Sequence, residues 1–202
     1  MSHSAPDESR RRATEARTSR GWQIWLILAV SAAPVVAAWL AYFVWPPQSR
    51  SNYGDLVPPR PLSDPRLEAF RNQPFHLSEL RGKWVLVQID RSACDATCRE
   101  KLLYMRQLRL TQGTDRERIE RVWLITDDGP VDPMLSREFE GTRFVRAAGS
   151  ALLDEFPPAG EIRDHIFLVD PLGNLMLRFP RHPDPNGMRR DLSRLLRASR
   201  IG

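Results

Sequence analysis

Only two thiols occur in the 202-residue chain, Cys94 and Cys98. Residues four apart on a helix share one face, so this spacing predicts that the two sulfurs converge. A converging pair has three chemistries open to it. It can lock a disulfide, exchange electrons with a second dithiol, or hold a soft ion such as Cu(I) between two thiolates. Two thiols are too few for a four-cysteine zinc site. The pair follows an apolar run ending at Asp90 and opens an amphipathic stretch, which places it at a helix N-terminus. The partial positive charge there favours thiolate, and Arg91 reinforces it.

The other reactive residue types are scattered. His76 and His182 read as solvated side chains and His3 as part of a tail. Met105, Met134, Met176 and Met188 do not form the methionine cluster of a copper carrier. Asp90, Asp95, Asp127 and Asp128 lack a recognisable hydrolytic context. Phosphate-cradling glycine loops, dinucleotide fingerprints and serine elbows do not occur, which argues against a nucleotide enzyme. Thirty basic residues against 25 acidic ones give a net charge of +5 with no basic stripe beyond the N-terminus, so nucleic acid is not an expected partner.

The elements that must position the cysteines follow from periodicity. Phe75-His76-Leu77 is a short alternating segment that leads into a turn. Trp84–Asp90 and Ile119–Ile125 are short, apolar and rich in β-branched residues, as buried strands are. Between them Cys98, Leu102, Met105 and Leu108 recur at helical spacing up to Gly113. His165–Val169 and Leu175–Phe179 flank Asp170-Pro171-Leu172-Gly173-Asn174 and predict a hairpin. Leu192, Leu195 and Leu196 predict a C-terminal helix covering one sheet face. Strand, helix, strand, hairpin and helix, with the cysteines opening the first helix, is the order of a thioredoxin-like α/β domain.

Ahead of this domain, Gly21 to Ser49 contains no charged residue, and Trp22 to Trp45 is apolar apart from Gln23 and Ser31. At 1.5 Å per residue that run spans about 36 Å, enough for a hydrocarbon core of roughly 30 Å. Trp22 and Trp25 at one end and Tyr42, Phe43 and Trp45 at the other suit the two interfaces, and Pro34 predicts a kink. Arg10, Arg11, Arg12, Arg17 and Arg20 precede the run, whereas only Arg50, Arg60 and Arg66 follow nearby. This bias holds the N-terminus in the cytoplasm. The expected organisation is a cytoplasmic tail over 1–20, a transmembrane helix over 21–46, a proline-rich linker over 47–60 and a periplasmic domain over 61–202. A cleaved signal peptide fits less well, because the apolar run exceeds the usual length of about 7–15 residues and Val36-Ala37-Ala38 is a poor cleavage site.

Gly82-Lys83-Trp84-Val85-Leu86-Val87, the Cys94-x-x-x-Cys98 pair and Asp164-His165 before Leu168-Val169-Asp170-Pro171-x-Gly173 together resemble the Sco/SenC family. Members are membrane-anchored thioredoxin-fold proteins that assist assembly of the copper centre of cytochrome c oxidase subunit II. The resemblance covers roughly Pro61 to Arg194. It implies Cys94 and Cys98 as Cu(I) ligands, His165 as the third, and oxidase subunit II or another periplasmic thiol protein as partner. It also implies a single-pass protein of a bacterial inner membrane. Asp95 and Arg99 stand where the family usually carries prolines, and its histidine usually lies a few residues earlier than His165. His165 does precede Gly173 by eight residues, the offset of the cis-proline loop that faces the cysteines in thioredoxin-like proteins. Two alternatives stand beside copper delivery: thiol-disulfide exchange, with Cys94 attacking and Cys98 resolving, and a binding module whose cysteines only brace the fold.

Overall fold

A computed structural model describes residues 8–44, 52–70, 72–199 and 201, and their side chains apart from those of 8–20, 41, 42 and 44. The arginines of the tail, His3, the rings of Tyr42 and Trp45, and the first linker residues, 47–51, lie outside that description. The chain divides into two units, Met1–Arg50 and Ser51–Gly202.

The first unit is one helix, α1 (Glu8–Val44), which begins upstream of the apolar run and continues past Pro34. Its Gly21–Leu40 segment has a mean hydropathy of 1.9 and is entirely unburied. By length and composition it can cross a membrane, as an anchor or as a signal sequence.

The second unit is built on an eight-stranded sheet. Its strands are β1 (Asp55–Pro61), β2 (Leu67–Ala69), β3 (Gln73–Phe75), β4 (Trp84–Asp90), β5 (Ile119–Ile125), β6 (Thr142–Arg146), β7 (Ile166–Val169) and β8 (Asn174–Arg178), in the order β1-β8-β7-β4-β5-β6-β2-β3. The central β4, β5 and β6 are parallel, and the remaining pairings are antiparallel. Helices α2 (Ala96–Leu110), α3 (Pro133–Glu138) and α4 (Pro185–Ala198) complete the unit.

Every residue of β4 is buried, as a central strand covered on both faces requires. Its even-numbered residues meet α2 and α4, where Leu86 joins Trp123, Leu168, Leu102, Met105 and Leu192. The odd-numbered Val85, Val87 and Ile89 face a second core with Phe75, Leu80, Leu152, Phe156 and Phe167. Each fully buried aliphatic or aromatic side chain contributes about 1.5–3 kcal/mol to holding these layers together.

The expected hairpin forms between β7 and β8. Gly173 takes a φ of +89°, open to glycine, and the Asp170 carboxylate accepts from the Leu172 and Asn174 amides. Helix α4 starts on Asp184, which accepts from the Asn186 and Gly187 amides, with Pro185 in the first turn. Gly187 has to be glycine because a Cβ there would stand 2.5 Å from the Tyr53 ring.

The proline-rich linker expected over 47–60 is only partly a linker. Asp55–Pro61 is an edge strand on β8, and its register breaks between Leu56 and Arg60, where Pro58 and Pro59 offer no N–H. Phe75 ends β3 and Leu77 begins a short 3-10 turn, Leu77–Leu80, so the segment Phe75-His76-Leu77 is not one strand. Strands β2 and β6 and helix α3 are additions to the elements read from periodicity.

Candidate functional site at the end of the central strand

The site forms where β4 gives way to α2. Asp95 caps the helix, its carboxylate accepting from the Cys98 amide at 2.9 Å. Cys94 therefore lies outside the helix, and helical spacing does not bring the sulfurs together. They meet because Cys94 adopts a left-handed φ of +36°, a region that costs a non-glycine residue about 1–3 kcal/mol. The two cysteines form a disulfide with their Cα atoms 5.1 Å apart. Both cysteines are buried, Cys98 fully and Cys94 all but 5% of its surface.

The preceding loop is pinned from β5. The Asp127 carboxylate accepts from the amides of Ser92 and Gly129, and hydrogen bonding by the Ser92 side chain holds its pKa below the usual carboxylate range. A Cβ on Gly129 would come within 2.2 Å of Ser92 Oγ, so glycine permits the two loops to approach. The N-terminus of α2 carries partial positive charge, and the Asp95 carboxylate lies against it. Arg99 does not offset that charge, since it reaches Asp132 and Glu138 at 3.6 and 3.4 Å.

Beneath the disulfide lie polar groups that motif reading passed over. Gln88 donates through Nε2 to Cys98 Sγ at 3.1 Å and to the Cys98 carbonyl oxygen at 3.2 Å. Lys101 Nζ lies 2.8 Å from Asp90 in an almost dry ion pair and also donates to the Arg163 carbonyl. Further along β5, Arg121 is buried with its Nε and Nη1 unpartnered among the described residues, and burial lowers its pKa to about 10. The available sequence signal was polarity itself, because a glutamine inside Trp84–Asp90 must find partners in the core.

His165 is not with the cysteines. Extended at the start of β7, it shares a strand face with Phe167, 5.9 Å from that ring, and Phe167 belongs to the core on the opposite side of the sheet. Its Nδ1 bonds the Phe179 carbonyl oxygen at 2.8 Å, and its Nε2 lies against the Ala159 backbone. Among the described residues no three His, Cys, Asp or Glu side chains gather as a metal-binding set. His76 is half-exposed beside Asp64, 3.6 Å away.

A mixed sheet with a cysteine pair at the junction of its central strand and the following helix defines a thioredoxin-like fold. The chain belongs to the family described as the transmembrane-like, thioredoxin-like, C-terminal domain, whose model matches residues 84–199, more than half of the sequence. No curated protein matches it in sequence. Among solved structures it is similar to yeast Sco1 with copper bound, at 14% identity and a TM-score of 0.59, covering 71% of this chain and 96% of that one. BsSco, a member of the Sco family of cytochrome c oxidase assembly proteins in which a disulfide switch was identified, has 12% identity and a TM-score of 0.54, covering 72% and 98%. The thioredoxin domain of a thiol-disulfide oxidoreductase from Bacteroides vulgatus has 17% identity and also scores 0.54, covering 70% and 99%. At these identities the likeness is one of fold.

Proposed function

We propose that this chain is a membrane-anchored thiol-disulfide exchange protein whose working bond is Cys94–Cys98. The observation that carries the reading is the disulfide at the strand-to-helix junction, with Cys94 in the loop before the helix and Cys98 fully buried in its first turn. A partner thiolate attacks Cys94 Sγ, the Cys94–Cys98 bond breaks, and its electron pair leaves on Cys98 Sγ, which takes up a proton. A second partner thiol then attacks the mixed disulfide. It departs as the partner's own disulfide and leaves Cys94 as a thiol. A groove of about 400 Å³ along the first turns of α2, bordered by Ala96, Thr97 and Leu103 and by the charged Arg99, Glu100 and Glu138, gives such a partner a surface to cover.

The apolar Gly21–Leu40 segment and the arginines before it support a single anchor in a bacterial inner membrane with the domain in the oxidising periplasm. The test is trapping. In a Cys98→Ser chain, Cys94 should accumulate a mixed disulfide with a periplasmic thiol protein, identified by mass spectrometry. A Cys94 that stays unmodified, in a protein whose wild-type pair resists dithiothreitol, refutes exchange.

A second reading, Cu(I) held by the reduced pair and handed to cytochrome c oxidase subunit II or another periplasmic thiol protein, draws on the convergence of two soft sulfurs. The donor set fits Cu(I) through Cys94 and Cys98; His165, occupied on the other face, does not join it in this arrangement. One-to-one Cu(I) retention against a calibrated chelator, lost in the Cys94→Ser, Cys98→Ser chain, would favour delivery of copper. Retention equal to that of the double variant would remove it.

A further inference from the structure

Gln88 is fully buried on the helix side of β4. Its bond to the Cys98 carbonyl settles which end of the amide carries nitrogen, because an amide oxygen facing that carbonyl would be repelled. The far atom, Oε1, is therefore the acceptor, and it is buried with no hydrogen-bond partner among the described residues. A buried acceptor left in this state is costly. While the disulfide is closed, neither sulfur has a hydrogen to give it.

We propose that Gln88 is a positioning residue that favours the dithiol form of the pair, its Oε1 accepting the Cys98 S–H once the disulfide opens. The inference rests on the exchange reading above and names what that exchange is biased by. In the balanced step a partner dithiol loses two electrons and two protons to become a disulfide, and the Cys94–Cys98 bond becomes two thiols. Freed from Cys94, Cys98 acquires a hydrogen that it turns toward Oε1, while its sulfur stays within reach of the Nε2 hydrogen it already accepts, so the acceptor is met without losing that donor. Nε2 keeps the Cys98 carbonyl throughout. The closed form thus carries an unmet acceptor that the open form satisfies, which makes the disulfide easier to reduce than burial alone would.

The test uses the full chain in detergent, equilibrated in glutathione buffers, with the reduced fraction counted by thiol alkylation and mass spectrometry. Gln88→Met keeps the volume and removes both polar atoms. It should shift the equilibrium toward the disulfide by about tenfold, equivalent to about 30 mV for two electrons. A folded Gln88→Met chain with the wild-type constant, or with a shift toward the dithiol, overturns the proposal. A second arm leaves Gln88 in place. In Cys94→Ser, Cys98 is the only thiol, so its infrared S–H stretch is unambiguous. A stretch lowered to the range of amide-bonded thiols supports the proposal, and an unbonded frequency overturns it. If the wild-type pair never equilibrates with glutathione, the exchange reading fails on its own and the infrared arm still decides the role of Gln88.

Discussion

Replacing Lys101 by methionine should destabilise the domain by about 3 kcal/mol, and the reason is what it leaves behind. Lys101 and Asp90 are 2% and 8% exposed with 2.8 Å between the charged atoms, so neither charge has water to fall back on. Breaking a buried pair from one side costs about 3–5 kcal/mol, most of it from the orphaned charge. The lower end applies because Asp90 retains a hydrogen bond from the Arg91 amide at 2.9 Å. Asp90→Asn in the Lys101→Met background keeps that acceptor and removes the charge. The double variant should therefore recover about 2 kcal/mol and lie within roughly 1 kcal/mol of wild type. Urea unfolding of the full chain in mild detergent, followed through the buried Trp84 and Trp123, measures the cycle. Against a total stability of about 5–15 kcal/mol the loss is large enough to read from midpoints. A Lys101→Met protein within about 1 kcal/mol of wild type would refute the reasoning, as would a double variant no better than the single.

Three further outcomes are expected. Arg121→Met should raise the unfolding midpoint, by about 1–2 kcal/mol of stability, since it removes a buried guanidinium with two nitrogens unpartnered among the described residues; a loss of that size would mean that the cation is needed. Asp127 is held below its ordinary pKa by the Ser92 hydroxyl and amide, so its contribution is full above the ordinary carboxylate range and disappears as pH falls through the lowered value. The stability difference between wild type and Asp127→Asn should therefore be largest at neutral pH and vanish in acid, and a difference independent of pH would contradict this. His165→Ala should cost about 1–3 kcal/mol through the stranded Phe179 carbonyl yet leave the glutathione equilibrium of the cysteines unchanged; a shifted equilibrium would place the imidazole nearer the sulfurs than its strand face allows.

The legible parts of the fold are those in which one physical signal dominates. Trp84–Asp90 and Ile119–Ile125 are β4 and β5 to the residue, because large apolar and β-branched side chains dominate both seven-residue runs, as cover on both faces of a central strand requires, even with Gln88, Asp90 and Arg121 among them. β6 escaped because Thr142-Arg143-Phe144-Val145-Arg146 brings charged side chains into a strand whose pairing comes from β5 and β2. β1 escaped because its prolines read as linker, and only the partner strand β8 makes it part of the sheet. At the site, the pairing of Cys94 with Cys98 was visible, but its cause was not. Helical spacing suggested convergence, whereas the Asp95 cap excludes Cys94 from the helix and a left-handed turn restores contact. The placement of His165 was inferred from its distance along the chain to Gly173, which measures how far a residue is from the hairpin and not which face of the sheet it occupies. Strand parity with Phe167 decides the face. Lys101, one of only two lysines among 30 basic residues, carried no motif, and its partner becomes apparent only when α2 packs on the end of β4.

Both margins of the sheet end in strands that contain proline: Pro58 and Pro59 in β1, Pro74 in β3. A margin with regular free amides is a template on which a neighbouring copy can crystallise, strand upon strand, without limit. Were the apolar N-terminal helix to gather chains into one bilayer or micelle, they would meet one another far more often than the same chains dispersed in solution. Under such crowding an unguarded margin would polymerise. Here the prolines of β1 and β3 leave gaps in the row of donors, so neither margin offers a continuous ladder to a neighbouring copy.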